Sequence, residues 1–326
     1  MRKITYAEAI REAMEQMMGK DSRVFVIGQG CTSPWYVGNT TTGLVDKFGE
    51  KRVIDTPVSE AAIAGVANGA AMAGMKPILI FPRIDFMLLA MDQIINQAAN
   101  WYYMFGGKVN VPIVIRGIIN RGGEQAAQHS QALQAMFAHI PGLKVVMPAT
   151  PYDAKGLLIS AIEDGNPVIY IDDRWLYQEI GEVPEEIYTV LIGKGIIKRK
   201  GKDVTIATLS YLVPESMKAA ESLEKEGISI EVIDLRSVKP LDEEILLESV
   251  RKTGRLVIAD TGWETSGISA EIAKRVYNNL YKKLKAPIGI VALPNTPAPA
   301  SRKLEKEYYP TKDNIIKALR KIINYE

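Results

Sequence analysis

Short runs rich in Val and Ile alternate along the chain with longer stretches whose apolar positions recur at helical spacing, the pattern of parallel α/β sheets. Thr5-Tyr6-Ala7-Glu8 reads as a capping box. Behind it Ala9, Ile10, Ala13, Met14 and Met17 form one apolar stripe, and Gly19 is a natural stop. This pattern predicts strands at 24–27, 53–55, 77–81, 112–115, 144–147 and 168–171. Helices are predicted over 59–73, 87–104, 130–138 and 151–163, the last with Thr150 and Asp153 as cap residues. Residues 178–190 carry Gly181, Val183-Pro184 and glutamates without periodicity and read as a linker. The alternation then restarts at 204–209, 214–226, 229–233, 243–250, 256–259, 269–284, 288–291 and 312–323. The expected fold is α/β, with two doubly wound domains over residues 1–187 and 188–326.

Composition narrows the class. A chain of 326 residues with 47% hydrophobic content can fill two cores. Lys+Arg 40 against Asp+Glu 38 leaves a formal charge of +2, which gives no electrostatic reason to expect nucleic acid or an anionic membrane as partner. The single cysteine, Cys31, excludes an internal disulfide and a cysteine-built metal site, and it suits a reducing compartment. No run approaches the roughly 18 apolar residues of a membrane span. The charged, amphipathic N-terminus does not read as a signal peptide, so a cytoplasmic location is expected.

Open parallel sheets bind ligands beyond the C-terminal ends of their strands, which directs attention to the segments after 53–55, 77–81 and 112–115. The first is Asp55-Thr56-Pro57-Val58-Ser59-Glu60, running into an Ala/Gly-rich helix in which Gly65 and Gly69 stand four apart. Ser59 is a plausible N-cap. Glu60 suits either of two roles, complementing the helix dipole or proton chemistry. The second is Phe81-Pro82-Arg83-Ile84-Asp85-Phe86, where composition alone is satisfied by packing Phe86 in a core. Beyond it Asp92, Gln93 and Asn96 are polar positions on a helix that otherwise looks buried. The third reaches Ala127-Gln128-His129-Ser130-Gln131. One of the two histidines of the chain lies there, in a polar loop, the setting of a proton-transfer group; the other, His139, reads as structural.

Asp55–Glu60 with its Gly/Ala helix resembles the pyrimidine-domain motif of thiamine-diphosphate-dependent 2-oxoacid dehydrogenase β subunits. So do Asp92-Gln93-Ile94-Ile95-Asn96-Gln97-Ala98-Ala99, Ala127–Gln131 and Pro141-Gly142-Leu143-Lys144-Val145-Val146. Asp153-Ala154-Lys155-Gly156 and Asp234-Leu235-Arg236-Ser237-Val238-Lys239-Pro240 extend the likeness along nearly the whole chain. The resemblance implies a transketolase-like pyrimidine-binding domain followed by a smaller transketolase C-terminal-like domain. It also implies a catalyst of oxidative decarboxylation of a small 2-oxoacid, with acyl transfer to a lipoyl group. Glu60 would bond the aminopyrimidine ring, Phe86 would stack on it with Asp85 alongside, and His129 would face substrate and lipoyl group. Thiamine diphosphate would be shared with an α subunit that holds the diphosphate and Mg²⁺ through a Gly-Asp-Gly motif absent here. The assembly would be α2β2, with a lipoylated acyltransferase core as a further partner. A structural K⁺ would fall at Ile113, Ala161, Ile162, Asp164 and Asn166, oxygen donors being suited to a hard cation; an ordinary helix-to-strand turn is the other reading of that segment.

Some positions depart from the family pattern. Gly28 is followed by Gln29-Gly30 where an acidic residue or pair is usual, and Pro82-Arg83, Arg121 and Asp172-Asp173 also differ. An additional arginine near the pocket could recognise a second negative charge on the substrate. Two other readings compete: the C-terminal half of a split transketolase-like enzyme, and a non-catalytic interaction subunit. A nicotinamide-binding domain is disfavoured, because no G-x-G-x-x-G opens a helix after a strand.

Overall fold

The computed structural model describes residues 2–33 and 35–325. The chain packs into two compact units, residues up to 121 with 128–192, and 122–127 with 193 onward. The first unit begins with strand β1 (Arg2–Thr5) and helix α1 (Tyr6–Lys20). The capping box at Thr5 is present in full, and the stripe Ile10, Met14, Met17 is buried, each such side chain contributing roughly 1.5–3 kcal/mol. The helix runs one residue past Gly19 and ends at Asp21, whose N–H closes on the Met17 carbonyl. There follow β2 (Val24–Gly28), α2 (Leu44–Phe48), β3 (Val53–Asp55), α3 (Glu60–Met72) and β4 (Lys76–Phe81).

The single helix expected over 87–104 is built differently. Residues Ile84–Ala90 wind as 3₁₀-helix and Asp92–Ala98 as π-helix, and only α4 (Ala99–Met104) is regular. Buried Asn68 of α3 donates to the Gln93 carbonyl in this segment at 2.8 Å. The pairing satisfies both groups and ties α3 to this segment. Asp92 and Asn96 are exposed and bond each other at 2.8 Å, so this helix is only half-buried.

The unit continues through β5 (Val114–Ile119), α5 (Gln134–His139), β6 (Lys144–Val146), α6 (Pro151–Glu163), β7 (Val168–Asp173) and β8 (Ile180–Val183). Thr150 caps α6 by accepting the Asp153 N–H. Within the unit the strands lie in the order β6-β7-β5-β4-β2-β3, every neighbour parallel. The segment expected to be a structureless linker holds β8, which pairs antiparallel with β1. Neither strand carries an alternating apolar face, so pattern alone does not reveal the pair.

The second unit carries β9 (Ile196–Arg199), β10 (Val204–Thr208), α7 (Leu212–Glu224), β11 (Ile230–Asp234), β12 (Ser237–Lys239), α8 (Glu243–Thr253), β13 (Leu256–Trp263), α9 (Ile268–Leu280), β14 (Gly289–Leu293), α10 (Arg302–Tyr308) and α11 (Lys312–Ile323). Its sheet runs β14-β13-β10-β11-β9, parallel except for β9. Both units are thus α/β with parallel-strand cores. No helix among the described residues is long and apolar enough to cross a membrane.

Candidate active site

In the first sheet β2 is flanked by β3 on one side and β4 on the other, so successive connections leave β2 in opposite directions. Such a switch point opens a crevice at the strand ends. A pocket lies there, lined by Gly28 at the end of β2 and Gln29 after it, Ser59 and Glu60 at the start of α3, and Pro82 and Phe86 after β4. Ile63 and Leu79 add apolar surface.

Glu60 is the first residue of α3, and its carboxylate is partly exposed at the positive end of that helix. Ser59 occupies the cap position but makes no side-chain cap bond. The aromatic ring of Phe86 meets the His129 ring edge-on, centroids 5.4 Å apart. Glu60 and Phe86 therefore line one crevice from separate segments, and His129 lies against Phe86.

Asp85 is 5% exposed. Its Oδ1 accepts the Gln131 N–H at 3.2 Å, while Oδ2 is buried with no hydrogen-bond partner. Burial raises its pKa above the usual carboxylate value, opposed by the hydrogen bond from Gln131. Asp85 thus holds the loop two residues beyond His129.

The loop after β2, not among the segments singled out from the sequence, completes the crevice. Asp55 Oδ1 accepts the Gly30 N–H at 2.7 Å, and its Oδ2 accepts the Thr32 hydroxyl at 2.5 Å. Burial pushes Asp55 up, but these donors outweigh it and hold the carboxyl below its ordinary value. Gly30 has φ +72°, and a Cβ there would collide with the Tyr36 ring; Tyr36 Oη in turn accepts from Gln29 Nε2 at 3.0 Å. The glycine that departs from the family pattern is the seat of Tyr36. Cys31, next in this loop, is buried, and burial followed by the nearby Asp55 pushes its thiol up to about 12.

Arg116 and Arg121 are both buried and paired. Arg116 makes a fork with Asp172, Nε to Oδ1 at 2.9 Å and Nη2 to Oδ2 at 2.8 Å, and also donates to Thr40 and Tyr177. Arg121 Nε donates to Asp173 Oδ2 at 2.7 Å. The charge of Arg121 is committed to Asp173 in the core. The departures at Arg121 and Asp173 are two halves of one ion pair.

The residues expected around K⁺ gather where α6 meets β7. Ala161 and Ile162 lie in the last turn of α6, and Asp164 is its C-cap. Asp164 Oδ1 accepts the Asn166 N–H at 2.9 Å, its Oδ2 takes Lys144 Nζ, and the Ile113 carbonyl accepts the Val168 N–H at 3.0 Å. Asn166 Oδ1 is buried with no hydrogen-bond partner. Among the described residues no three or more His, Cys, Asp or Glu side chains group to hold a metal.

Comparison with known proteins accounts for both units. Residues 2–179 match the transketolase pyrimidine-binding domain and residues 193–315 the transketolase C-terminal domain. The chain is 44% identical over 322 residues to the pyruvate dehydrogenase E1 component subunit beta of Rickettsia felis, covering 99% of each. It is 46% identical to the acetoin:2,6-dichlorophenolindophenol oxidoreductase subunit beta of Cupriavidus necator, covering 98% of this chain and 97% of that one. Identity to the 2-oxoisovalerate dehydrogenase subunit beta of Bacillus subtilis is 42%, with 99% of each covered. A solved structure described as a split gene transketolase, inactive beta4 tetramer, superposes with a TM-score of 0.80 over 98% of both chains at 24% identity and shows the shared fold. With both domain types matched and 42–46% identity along almost the whole chain, the chain belongs to the E1 β subunits of the 2-oxoacid dehydrogenase family.

Proposed function

We propose that this chain is the β half of a thiamine-diphosphate-dependent 2-oxoacid dehydrogenase that works only with an α subunit, in an α2β2 assembly. The observation that carries the reading is the joint lining of one crevice by Glu60 and Phe86, with His129 against Phe86. The chemistry of the lining suits a flat aminopyrimidine: Phe86 offers an aromatic ring, Ile63 and Leu79 apolar surface, and Glu60 a carboxylate oxygen. The cofactor, when bound, supplies the electron sink that makes decarboxylation feasible.

Glu60 holds or shares a proton at the ring nitrogen. His129, edge-on to Phe86, would give or take a proton on the substrate side. Asp85 acts by holding the His129 loop rather than by touching the ring. Exposed apolar side chains on and beside α3, including Val58, Val66, Leu89, Tyr103 and Met104, suit burial against other subunits. A K⁺ ion among Ile113, Ala161, Ile162, Asp164 and Asn166 would give the buried Asn166 Oδ1 a partner. Acyl transfer to a lipoylated acyltransferase core belongs to the same reading.

The test is co-expression with an α-type subunit. A 2-oxoacid panel is then assayed with thiamine diphosphate, Mg²⁺ and an artificial electron acceptor. Turnover should need both chains, and Glu60→Gln should lower it by roughly 10²- to 10⁴-fold. A cofactor-loaded complex that decarboxylates no 2-oxoacid would favour ketol transfer instead. A near-wild-type Glu60→Gln enzyme would remove Glu60 from the mechanism.

A further inference from the structure

Two guanidinium groups beside this crevice lack a carboxylate. Arg83 follows β4, Arg174 follows β7, and both are half-buried. Arg174 donates to the Tyr36 carbonyl through Nη2, and Arg83 donates to the Pro82 carbonyl through Nη1 at 2.9 Å. The Nε–H of each is buried without a hydrogen-bond partner. Neither forms an ion pair among the described residues, and the acids of β7 are already taken, Asp172 by Arg116 and Asp173 by Arg121. Burial, and then repulsion from Arg174, hold Arg83 below the ordinary arginine value.

Half-burying two like charges with donors unused is unfavourable unless an anion arrives. Two guanidinium forks offer the planar, bidentate donors that carboxylate and phosphate oxygens accept. The pair is continuous with the crevice: Pro82, beside Arg83, lines it, and Tyr36, held by Arg174, bonds Gln29, which lines it too. Tyr36 and Trp175 are each about two-fifths exposed and give the pair aromatic flanks.

We propose that Arg83 and Arg174 form an oxyanion subsite beside the Glu60–Phe86 crevice that selects a substrate carrying a second anionic group, carboxylate or phosphate, in addition to its 2-oxo carboxylate. The proposal rests on the decarboxylation reading and narrows its substrate class. Tyr36, seated on Gly30 and tied to Gln29, positions Arg174.

The test uses the α–β complex with two probes of equal carbon chain, 2-oxopentanoate and 2-oxoglutarate. The wild-type complex should favour 2-oxoglutarate in kcat/KM. Arg83→Met and Arg174→Met should each reduce that ratio roughly 10- to 100-fold, the scale of a charge-assisted hydrogen bond. Arg83→Lys and Arg174→Lys, which keep charge but lose the fork, should fall between. Where the natural second group is phosphate, 2-oxoglutarate gains nothing, but inorganic phosphate should compete with 2-oxopentanoate, and Arg83→Met should weaken that inhibition at least tenfold. Absence of both the 2-oxoglutarate preference and the phosphate inhibition would overturn the proposal. So would variants that depress both substrates alike or release the α chain, the behaviour of arginines matched to a partner carboxylate. Should the complex turn over no 2-oxoacid, the decarboxylation reading fails by itself. The subsite is then decided by tryptophan fluorescence, with Trp175 beside Arg174 as reporter. Millimolar or tighter binding of 2-oxoglutarate or phosphate that is lost in Arg83→Met upholds it, and no binding overturns it.

Discussion

Arg116→Met tests how the loop after β2 is anchored. The guanidinium is fully buried, as is Asp172. Burial works against its charge, but Asp172 outweighs burial and, with Tyr177, holds Arg116 above its ordinary value. Removing the cation leaves Asp172 buried with one remaining donor, Tyr177 Oη at 2.5 Å. Breaking one side of a buried pair costs about 3–5 kcal/mol. The surviving tyrosine bond argues for the lower half of that range, and loss of the bond to Thr40, at 2.8 Å, adds about 1 kcal/mol. A total near 4 kcal/mol follows. Arg116→Met with Asp172→Leu removes both charges, so its cost should fall short of the summed single costs by at least about 2 kcal/mol. Urea unfolding of the full chain, followed by tryptophan fluorescence, measures all three. Additive costs, within about 0.5 kcal/mol, would refute the pairing energetics.

Other expectations follow from the same contacts. Gly30→Ala should cost about 1–3 kcal/mol, because φ +72° disfavours a side chain and the Tyr36 ring occupies the space; an unchanged melting temperature would show that Tyr36 does not rest there. The folded-state pKa of Asp85 is raised, so the folded chain holds that proton more tightly than the unfolded one. Its share of stability is full below the ordinary aspartate value and is lost as pH rises through the raised one. Asp85→Asn should therefore melt higher than wild type at pH 7, with the gap closing near pH 4; a gap independent of pH would contradict this. If K⁺ binds near Asn166, KCl should raise the melting temperature over choline chloride at equal ionic strength, by an increment that grows with log concentration. Asn166→Ala should abolish the difference.

The sequence carried the layered α/β plan because buried parallel strands and amphipathic helices write their periods directly into it. Strand β3 and helix α6 fall where the pattern places them, and Thr5 and Thr150 mark real helix starts. Three kinds of feature were not legible. The β1–β8 pair has no alternating face. The departure from α-helix over 84–98 is not written in its local period, and part of that segment is held by Asn68, distant in sequence, through the Gln93 carbonyl. The partners of Arg116 and Arg121 lie more than fifty positions away, so their charges could equally have faced a ligand. Gln29-Gly30 signalled an unusual loop, but only coordinates reveal that the glycine seats Tyr36.

Cys31 has a practical consequence. Its thiol is buried and pushed up to about 12, so thiolate is scarce at neutral pH and reagents reach it poorly. With no other cysteine in the sequence, the native chain should react slowly with maleimides. A cysteine introduced at exposed Tyr103 would thus be the only rapidly labelled position, with little background to engineer away. A fluorophore or spin probe placed there would report assembly directly on unmodified wild-type chemistry at the crevice.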